Sequence, residues 1–470
     1  MLNRTYYKDN LKLAYPIILS SLGQSVVQFF DTLMVGHLGK EALAGVAFSA
    51  AITTIALVFG QGIGMSLTPL VGQSFARKET RRMSMLFQNA ITLNLVTGAA
   101  IVAVLMLFVP FLPHLGQPKE VIDAAKSYFI ITSISLFPAQ IFLAFRHFME
   151  GAGNTKITMR IIISANLLNI ILNYIFIFGK CGFPAMGAFG AGLSTCVARI
   201  LMPVAYLVYM LCHKHYRKYF KFFSKKNFTL HTHKNIMRLG LPIAVQLSLE
   251  CVSFSTVTIM MGWLSTVALA AYQIVLTFVT LTFQIACGIA SATTILVSHA
   301  FGVKDRDRIR ANSLSGLHLS FVSMGIAALC FITLGGVIAS LFTTDTAVIA
   351  QARTLFIVAG AFQLVDGAQA TLLGALRGMN DVAKPMKYSL ICYILFAIPT
   401  AALLGFALET GPCGVLSGLA FGLLLATILY YTRLKTTIRR IACFVVEEKG
   451  TLLWRTGNTL HFFCTFAKLQ

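Results

Sequence analysis

Three carboxylates stand where a carboxylate is costly. Asp31, Glu250 and Asp366 each fall inside a long apolar run, and of the sixteen acids in the chain they are the ones well inside those runs. A charged group midway along a segment long enough to cross a bilayer is by default a functional candidate. Unpaired and charged in such surroundings, a carboxylate is unfavourable, so it takes up a proton or recruits a cation. Both outcomes suit a coupling site, where a driving ion and a cationic substrate compete for one acid. The alternative is a structural carboxyl hydrogen-bonded to neighbouring helices. No basic residue within a helical turn neutralises any of the three.

The acids belong to polar stripes. Gln24, Gln28 and Asp31 fall at i, i+4 and i+7, as do Gln246, Glu250 and Ser253, so each trio shares one helix face. Asn166, Asn169 and Asn173 make a third stripe, and Gln363, Asp366 and Gln369 a fourth. Asn169, Asn173 and Thr195 could complete a cation or proton site around Asp31, although amides and hydroxyls also join membrane helices to one another. Tyr272 and Phe283 could offer ring faces to an organic cation. In a chain with 37 Phe and 14 Tyr, core packing is the competing explanation. Arg199 is an odd charge in an apolar run and could snorkel, pair with an acid or bind an anion. Pro16 and Pro242 each bend a helix or begin one. The glycines of GQGIG at 60–64 read as close-packing positions rather than a ligand loop.

The elements that carry these residues follow from composition. With 57% hydrophobic and only 11% charged residues, the 470-residue chain is far too apolar for a soluble globule. Runs of membrane-spanning length lie near 11–36, 43–75, 88–112, 122–145, 157–179 and 187–212. A second set lies near 237–263, 268–300, 313–342, 348–375, 386–408 and 412–432. The expected fold is therefore an all-α membrane protein with 12 transmembrane helices in two six-helix halves.

The net charge of +22 is not spread evenly. Lys and Arg concentrate in alternate loops, which carry 29 of them, Arg146, Arg377, Lys384 and Lys387 included. The intervening loops hold Lys40, Lys119 and Lys180. The positive-inside rule then places both termini in the cytoplasm. The basic, aromatic run YRKYFKFFSKK at 216–226 reads as a collar on anionic lipid rather than a nucleic-acid contact.

The chain also repeats itself. A shift of 226 residues aligns Pro16 with Pro242, Gly36 with Gly262, ALA at 42–44 with ALA at 268–270, Gly62 with Gly288 and Lys78 with Lys304. The loops GAGNTKITM from Gly151 and GMNDVAKPM from Gly378 align with a shift of 227. One six-helix unit has been duplicated. Six is even, so both copies enter from the same side, as in parallel-repeat transporters, with a cavity between them. The chemistry is not duplicated. Glu250 aligns with Gln24 and Asp31 with Val257, which sets the two acids about 10 Å apart in depth, two helical turns of rise.

Other classes lose support. The ten Cys form no CxxC pair, so neither a disulfide framework nor a zinc site is implied. GAGNTKIT lacks the spacing of a phosphate loop, and HExxH and GxSxG are missing, which weighs against ATP-driven transport and against an enzyme. Met1–Asn10 is too polar for a signal peptide, so the first helix is expected to stay in the mature protein.

FFDTLMVGHLG at 29–39, LNIILNYIFIFG at 168–179, the pattern around Asp366 followed by LRGMND at 376–381, and the 6+6 duplication resemble the multidrug and toxic compound extrusion (MATE) family over about residues 8–435. Acids in both halves make the chain similar to the NorM-like branch. The resemblance implies a V-shaped exporter that exchanges cationic and amphipathic drugs for Na+ or H+ by alternating access. It also implies roles. Asp31 matches the family's first-helix acid, with Asn169, Asn173 and Thr195 as partners of a first-half cation site. Glu250 and Asp366 match second-half acids of cation binding and substrate competition, and Pro16 a proline whose bending is linked to protonation. Phe283 falls where some relatives place a ring near the cation. Some relatives carry Asp in place of Asn173, and its absence here favours Na+ over H+.

The expected organisation is an N-terminal lobe (1–212), a basic linker (213–236), a C-terminal lobe (237–432) and a tail (433–470). The expected function is a cation-coupled multidrug antiporter. Its coupling residues are those just named, and Na+ sits at Glu250 and Asp366 or at Asp31. Gln24, Gln28, Gln246, Tyr272, Phe283 and Gln363 line the substrate cavity. A lipid-linked saccharide flippase of the same superfamily is the rival within transport, and a membrane-embedded enzyme the rival outside it. The expected protein needs no cofactor, ATP or nucleic acid. It works as a monomer among the lipids of a bacterial inner membrane.

Overall fold

A computed structural model describes residues 3–115 and 118–455. Among the described residues, twelve helices are long and apolar enough to cross a membrane. They are α1 (Arg4–Gly36), α2 (Lys40–Ala76), α3 (Thr80–His114), α4 (Glu120–Gly151), α5 (Thr155–Phe178) and α6 (Gly187–Cys212), then α7 (Leu230–Leu264), α8 (Thr266–Gly302), α9 (Arg306–Ser340), α10 (Thr346–Gly378), α11 (Ala383–Ala407) and α12 (Gly411–Ile441). Twelve runs read from hydropathy are thus twelve helices. Most are longer than the apolar run, because polar residues at their ends continue the helix past the hydrocarbon. The tail is helical as far as Arg455, and residues 456–470 lie outside the described residues.

Local chemistry starts and stops these helices. Asp305 Oδ1 accepts from the Arg308 N–H at 3.0 Å, Asp345 Oδ1 from Ala347 at 2.9 Å and Ser265 Oγ from Ala268 at 3.0 Å. Each satisfies an N–H that the first turn leaves without a helical partner. Gly179 ends α5 in the left-handed region at φ 65°. The duplication survives in these details: Lys78 and Lys304 share φ values of 59° and 57°, and Gly153 and Asn380 are both left-handed at 81° and 61°. Of the two roles open to Pro16 and Pro242, beginning a helix is excluded. Each lies deep inside a continuous helix, α1 or α7, so neither begins one.

Each half has its own core. Phe87, Phe148 and Tyr206 anchor the first, and Tyr272, Phe356 and Phe362 the second. Their outer faces remain apolar. Val322, Ile326 and Leu329 of α9 share one helix face, each more than 60% exposed, a surface that hydrocarbon covers. The basic run after α6 is anchored to the protein as well as charged on its outer face. The helix Lys214–Lys221 buries Tyr219 against Phe148, while Phe222 stays exposed; the Ser84 hydroxyl donates to the Tyr219 carbonyl, and Gln88 and Asn89 of α3 donate to the carbonyls of Ser224 and Asn227 at 3.1 and 2.8 Å. Lys214, Lys221 and Lys226 stay exposed. The run is a strap docked on α3 with an outward cationic face.

The halves meet through α1 and the end of α2 against α8, and through α2 against α7. Gly62 lets α2 rest on the backbone of Ala244, and Gly288 lets α8 rest on Ile18. Polar ties reinforce the seam. Arg77 Nε donates to the Gly302 carbonyl at 2.6 Å, Gln73 Nε2 to the Gly378 carbonyl at 3.3 Å, and Asn380 Nδ2 to Gln73 Oε1 at 3.1 Å. His299 Nε2 meets the Gly151 carbonyl at 2.8 Å, and Asn10 Nδ2 donates to Thr293 Oγ1 at 3.1 Å. Among the described residues, hydrogen bonds between the halves are confined to the end that carries the basic loops. The molecule is a V closed at that end. Gly62→Val would push a branched side chain into the Ala244 backbone, an overpacking cost of about 1–3 kcal/mol. A lower midpoint of thermal unfolding in detergent is expected, and an unchanged midpoint would refute the close approach.

Candidate functional site

In the first half, α1, α2, α4, α5 and α6 enclose a cavity of about 200 Å³. The helical spacing read from sequence brings its polar residues together. Gln24, Gln28 and Asp31 come from α1, Asn166 and Asn169 from α5, and Thr195 from α6. Gln28 is exposed and marks the mouth, while Gln24 and Asp31 are half-buried. The Asn173 amide donates to Asp31 Oδ1, and the Ser194 hydroxyl donates in turn to Asn173 Oδ1. With its amide oriented to satisfy both ends, Asn169 donates to the same Asp31 oxygen at 3.3 Å and accepts from the Thr195 backbone N–H at 3.2 Å. Thr195 therefore contributes its main chain, its hydroxyl donating back to the Ala191 carbonyl at 3.0 Å. Neutral donors hold the carboxylate, leaving its charge available to a cation. Ser194 lies one residue before the predicted Thr195 and was not singled out, because a serine among small residues reads as packing.

Two arginines also face this cavity, Arg146 and Arg199. By sequence Arg146 belongs with the basic loop after the fourth helix. It instead points inward, where its Nε donates to Glu150 Oε1 at 2.8 Å, and His147 Nδ1 lies 3.3 Å from Glu150 Oε2. Glu150 is thus a fourth acid buried within a spanning helix, missed because it ends the apolar run of α4. It is committed to its own pair. Arg199 donates through Nη1 to Ser135 Oγ at 2.7 Å.

In the second half, Asp366 on α10 is 1% exposed, and its Oδ1 has no hydrogen-bond partner among the described residues. Glu250, half-buried on α7, lies within electrostatic range of Asp366, and among the described residues neither enters an ion pair. Gln363, fully buried, donates to Thr282 Oγ1 at 2.7 Å, and its Oε1 has no partner among the described residues. Gln369 Nε2 donates to the hydroxyl of Tyr393 at 2.5 Å. Tyr393 enters where α11 loosens to π-helical turns over Ile391–Ala397, an irregularity frequent at functional sites and with no signature in the local sequence.

Two expectations need correcting in this half. Arg377 was counted among the basic-loop residues, but its Nη2 donates to Gln246 Oε1 at 3.3 Å and its charge acts on Glu250. A cation about three helical turns from the nearest predicted acid, Asp366, thus reaches Glu250 through the fold. Tyr272, at 1% exposure within the core, offers no ring face to a ligand, while Phe283 is half-buried. Among the described residues no cluster of His, Cys, Asp and Glu could hold a metal ion in the usual way, and the described cysteines are free thiols. Tyr393→Phe leaves the buried Gln369 amide without its acceptor, at a cost of about 1–3 kcal/mol. Thermal unfolding in detergent is expected at lower temperature than for the exposed control Tyr174→Phe, and equal midpoints would refute the contact.

The MatE family model matches residues 16–175 and again 242–403, once in each half. The "Probable multidrug resistance protein NorM" of Bacillus subtilis (strain 168) is 29% identical over 440 residues, spanning 93% of this chain and 97% of that protein. The protein of the same name from Rhizobium meliloti (strain 1021) is 30% identical over 443 residues, spanning 93% and 95%. Among solved structures, the eukaryotic MATE transporter AtDTX14 superposes with a TM-score of 0.84 at 20% identity, covering 93% of this chain and 98% of that one. The "Outward-facing conformation of a multidrug resistance MATE family transporter of the MOP superfamily" gives 0.85 at 17% identity, covering 93% and 97%. At such identity the superpositions speak to the fold alone. Matched twice by one family model and along nearly its whole length by these relatives, the chain belongs to the MatE family of multi-pass membrane transporters.

Proposed function

We propose that the protein is a multidrug antiporter of a bacterial inner membrane, exporting organic cationic and amphipathic drugs in exchange for Na+ or H+ by alternating access. The observation that carries this is the pairing of a V closed at its basic end with Asp31, Glu250 and Asp366 held inside the two halves and, among the described residues, outside any ion pair. The names of the bacterial relatives, multidrug resistance proteins, support the substrate class. By the positive-inside rule the closed end faces the cytoplasm, both termini lie there, and the cleft opens outward.

The working units are an N-terminal lobe (1–212) and a C-terminal lobe (237–432), joined by the basic linker (213–236), with the tail (433–470) on the cytoplasmic side. Asp31 with Asn169, Asn173 and the Thr195 main chain forms one coupling site, and Glu250 with Asp366 the other. A cation entering either site neutralises a charge that hydrocarbon surroundings disfavour. Drug and driving ion therefore compete, and the cycle exchanges one for the other. Gln24, Gln28, Gln246, Gln363 and Phe283 supply polar and ring contacts beside these acids, and Pro16 is the point at which α1 bends between states. One monovalent charge crossing 100 mV supplies about 2.3 kcal/mol toward export.

Ethidium efflux from proteoliposomes tests the proposal under a sodium gradient alone and then a pH gradient alone. One of the two is expected to drive efflux, and inert vesicles under both would sink it. Glu250→Gln and Asp366→Asn are each expected to cut driven efflux more than tenfold with membrane insertion intact. Asp31→Asn is expected to do the same. Any of the three that expelled ethidium at the wild-type rate would remove that acid from the coupling machinery.

A further inference from the structure

The end of the molecule with the basic loops holds a second cavity, of about 390 Å³, which the exporter proposed above does not use. Lys12 of α1, Lys156 in the first turn of α5 and His215 of the strap line it, and no Asp or Glu does. Among the described residues neither lysine enters a hydrogen bond or an ion pair, and Asp9, one turn before Lys12 on α1, pairs with neither. Two ammonium groups on the walls of one space repel each other, and an anion between them reverses the sign of the interaction.

The duplicated loop answers the same problem from within. GAGNTK at 151–156 has Asn154 and Lys156 where GMNDVA at 378–383 has Asp381 and Ala383, so the formal charge is +1 in one copy and −1 in the other. In the second half Asp381 Oδ2 accepts from Arg433 Nε at 2.6 Å and from the Thr437 hydroxyl at 2.8 Å. In the first half the Asn154 amide donates to the Tyr216 hydroxyl at 2.7 Å, a contact between neutral groups. One copy supplies a carboxylate to the cation beside its loop. The other has an additional cation and supplies none.

We infer that this cavity binds the phosphate of an anionic phospholipid headgroup in the cytoplasmic leaflet, Lys12 and Lys156 taking the charge with His215 beside them. Basic pockets at the cytoplasmic ends of membrane helices suit such headgroups, because ammonium groups hold phosphate through charge-assisted hydrogen bonds. The apolar part of the lining, Leu13 and Phe75, matches glycerol and the upper acyl chain, which a free phosphate lacks. Next to Lys12, Leu11, Tyr15 and Leu19 form an exposed apolar stripe along α1 for that chain to follow. The site adjoins the seam, since Phe75 lies against the His299 ring of α8 with centroids 5.2 Å apart. A bound headgroup therefore joins α1, α5 and the strap beside the closed end.

Native mass spectrometry of the full chain in detergent tests the site with no gradient present, so its failure leaves the exporter standing. The wild type is expected to hold phosphatidylglycerol at least tenfold more tightly than phosphatidylcholine. Lys12→Gln combined with Lys156→Gln is expected to cut that preference about fivefold or more. Asn154→Asp gives the first half the carboxylate of the second, keeps a good helix cap, and is expected to do the same. Lys221→Gln combined with Lys226→Gln removes equal charge from the exposed face of the strap and is expected to keep the preference within twofold. Equal losses in the two double variants would assign the preference to general surface charge and overturn the site, as would a wild type with no preference. Should the Lys12 and Lys156 variant fail to fold, an unchanged preference in Asn154→Asp overturns the site by itself. Inorganic phosphate is the remaining arm: if it raises the thermal unfolding midpoint of the wild type while phosphatidylglycerol does no more than phosphatidylcholine, the lipid is overturned as the occupant.

Discussion

The structure turns on the cost of holding a carboxylate away from water. Two solutions coexist in one chain. Asp31 is wrapped by amide donors that share its charge without cancelling it, through Asn173 and Asn169, themselves positioned by Ser194 and the Thr195 main chain. Asp366 is given almost nothing: it is buried on α10 with an oxygen that has no partner among the described residues. Hydrogen bonds to a carboxylate stabilise its charged form, and burial without them favours neutralisation. One half thus surrounds its carboxylate with donors, and the other leaves a carboxylate oxygen without one among the described residues. That difference falls on halves descended from one unit.

Aligned positions show how far the halves have diverged in chemistry while keeping the frame. Lys78 and Lys304 still share a left-handed turn, and Gly62 and Gly288 still let helices touch across the seam. Glu150, however, aligns with Arg377. The first half closes a Glu150–Arg146 pair there, and the second sends a guanidinium to Gln246 one turn below Glu250. Backbone geometry is constrained by packing, which both copies must satisfy. Side chains facing the interior are free to exchange a negative group for a positive one, provided that the partner moves with it.

Much of this was legible in the residues. Apolar runs located all twelve helices, because a spanning helix must satisfy its backbone internally and has little choice of side chain at its lipid face. Helical spacing grouped Gln24, Gln28 and Asp31 with the Asn166 to Asn173 stripe, since α1 and α5 pack against each other. The residues that escaped are those whose position depends on where a long side chain turns. Arg146, Glu150 and Arg377 sit at helix ends, where hydropathy reads a loop, yet each folds back toward the interior. Tyr393 escaped because the π-helical turns that aim it arise from packing between α11 and its neighbours. Tyr219 in the run 216–226 escaped for the opposite reason: the composition of that run suits a lipid surface and a protein groove equally well, and only α3 decides between them.

The seam between the halves is built differently from the cores on either side of it. Within each half, large rings such as Phe356 and Phe148 are fully buried in continuous cores, so deforming a half would open voids that close packing resists. Between the halves the contacts are glycines against backbone, a small apolar cluster of Ala14 and Ile18 with Ile289 and Ala292, and hydrogen bonds, several of them to the main-chain carbonyls of Gly302, Gly378 and Gly151. Each such bond contributes about 0.5–1.5 kcal/mol net, because water replaces the lost partner when it opens. The joint lies at the end with the basic loops, where water is at hand. Opening it would expose that small cluster together with carbonyls and polar groups, and would leave the two large cores intact.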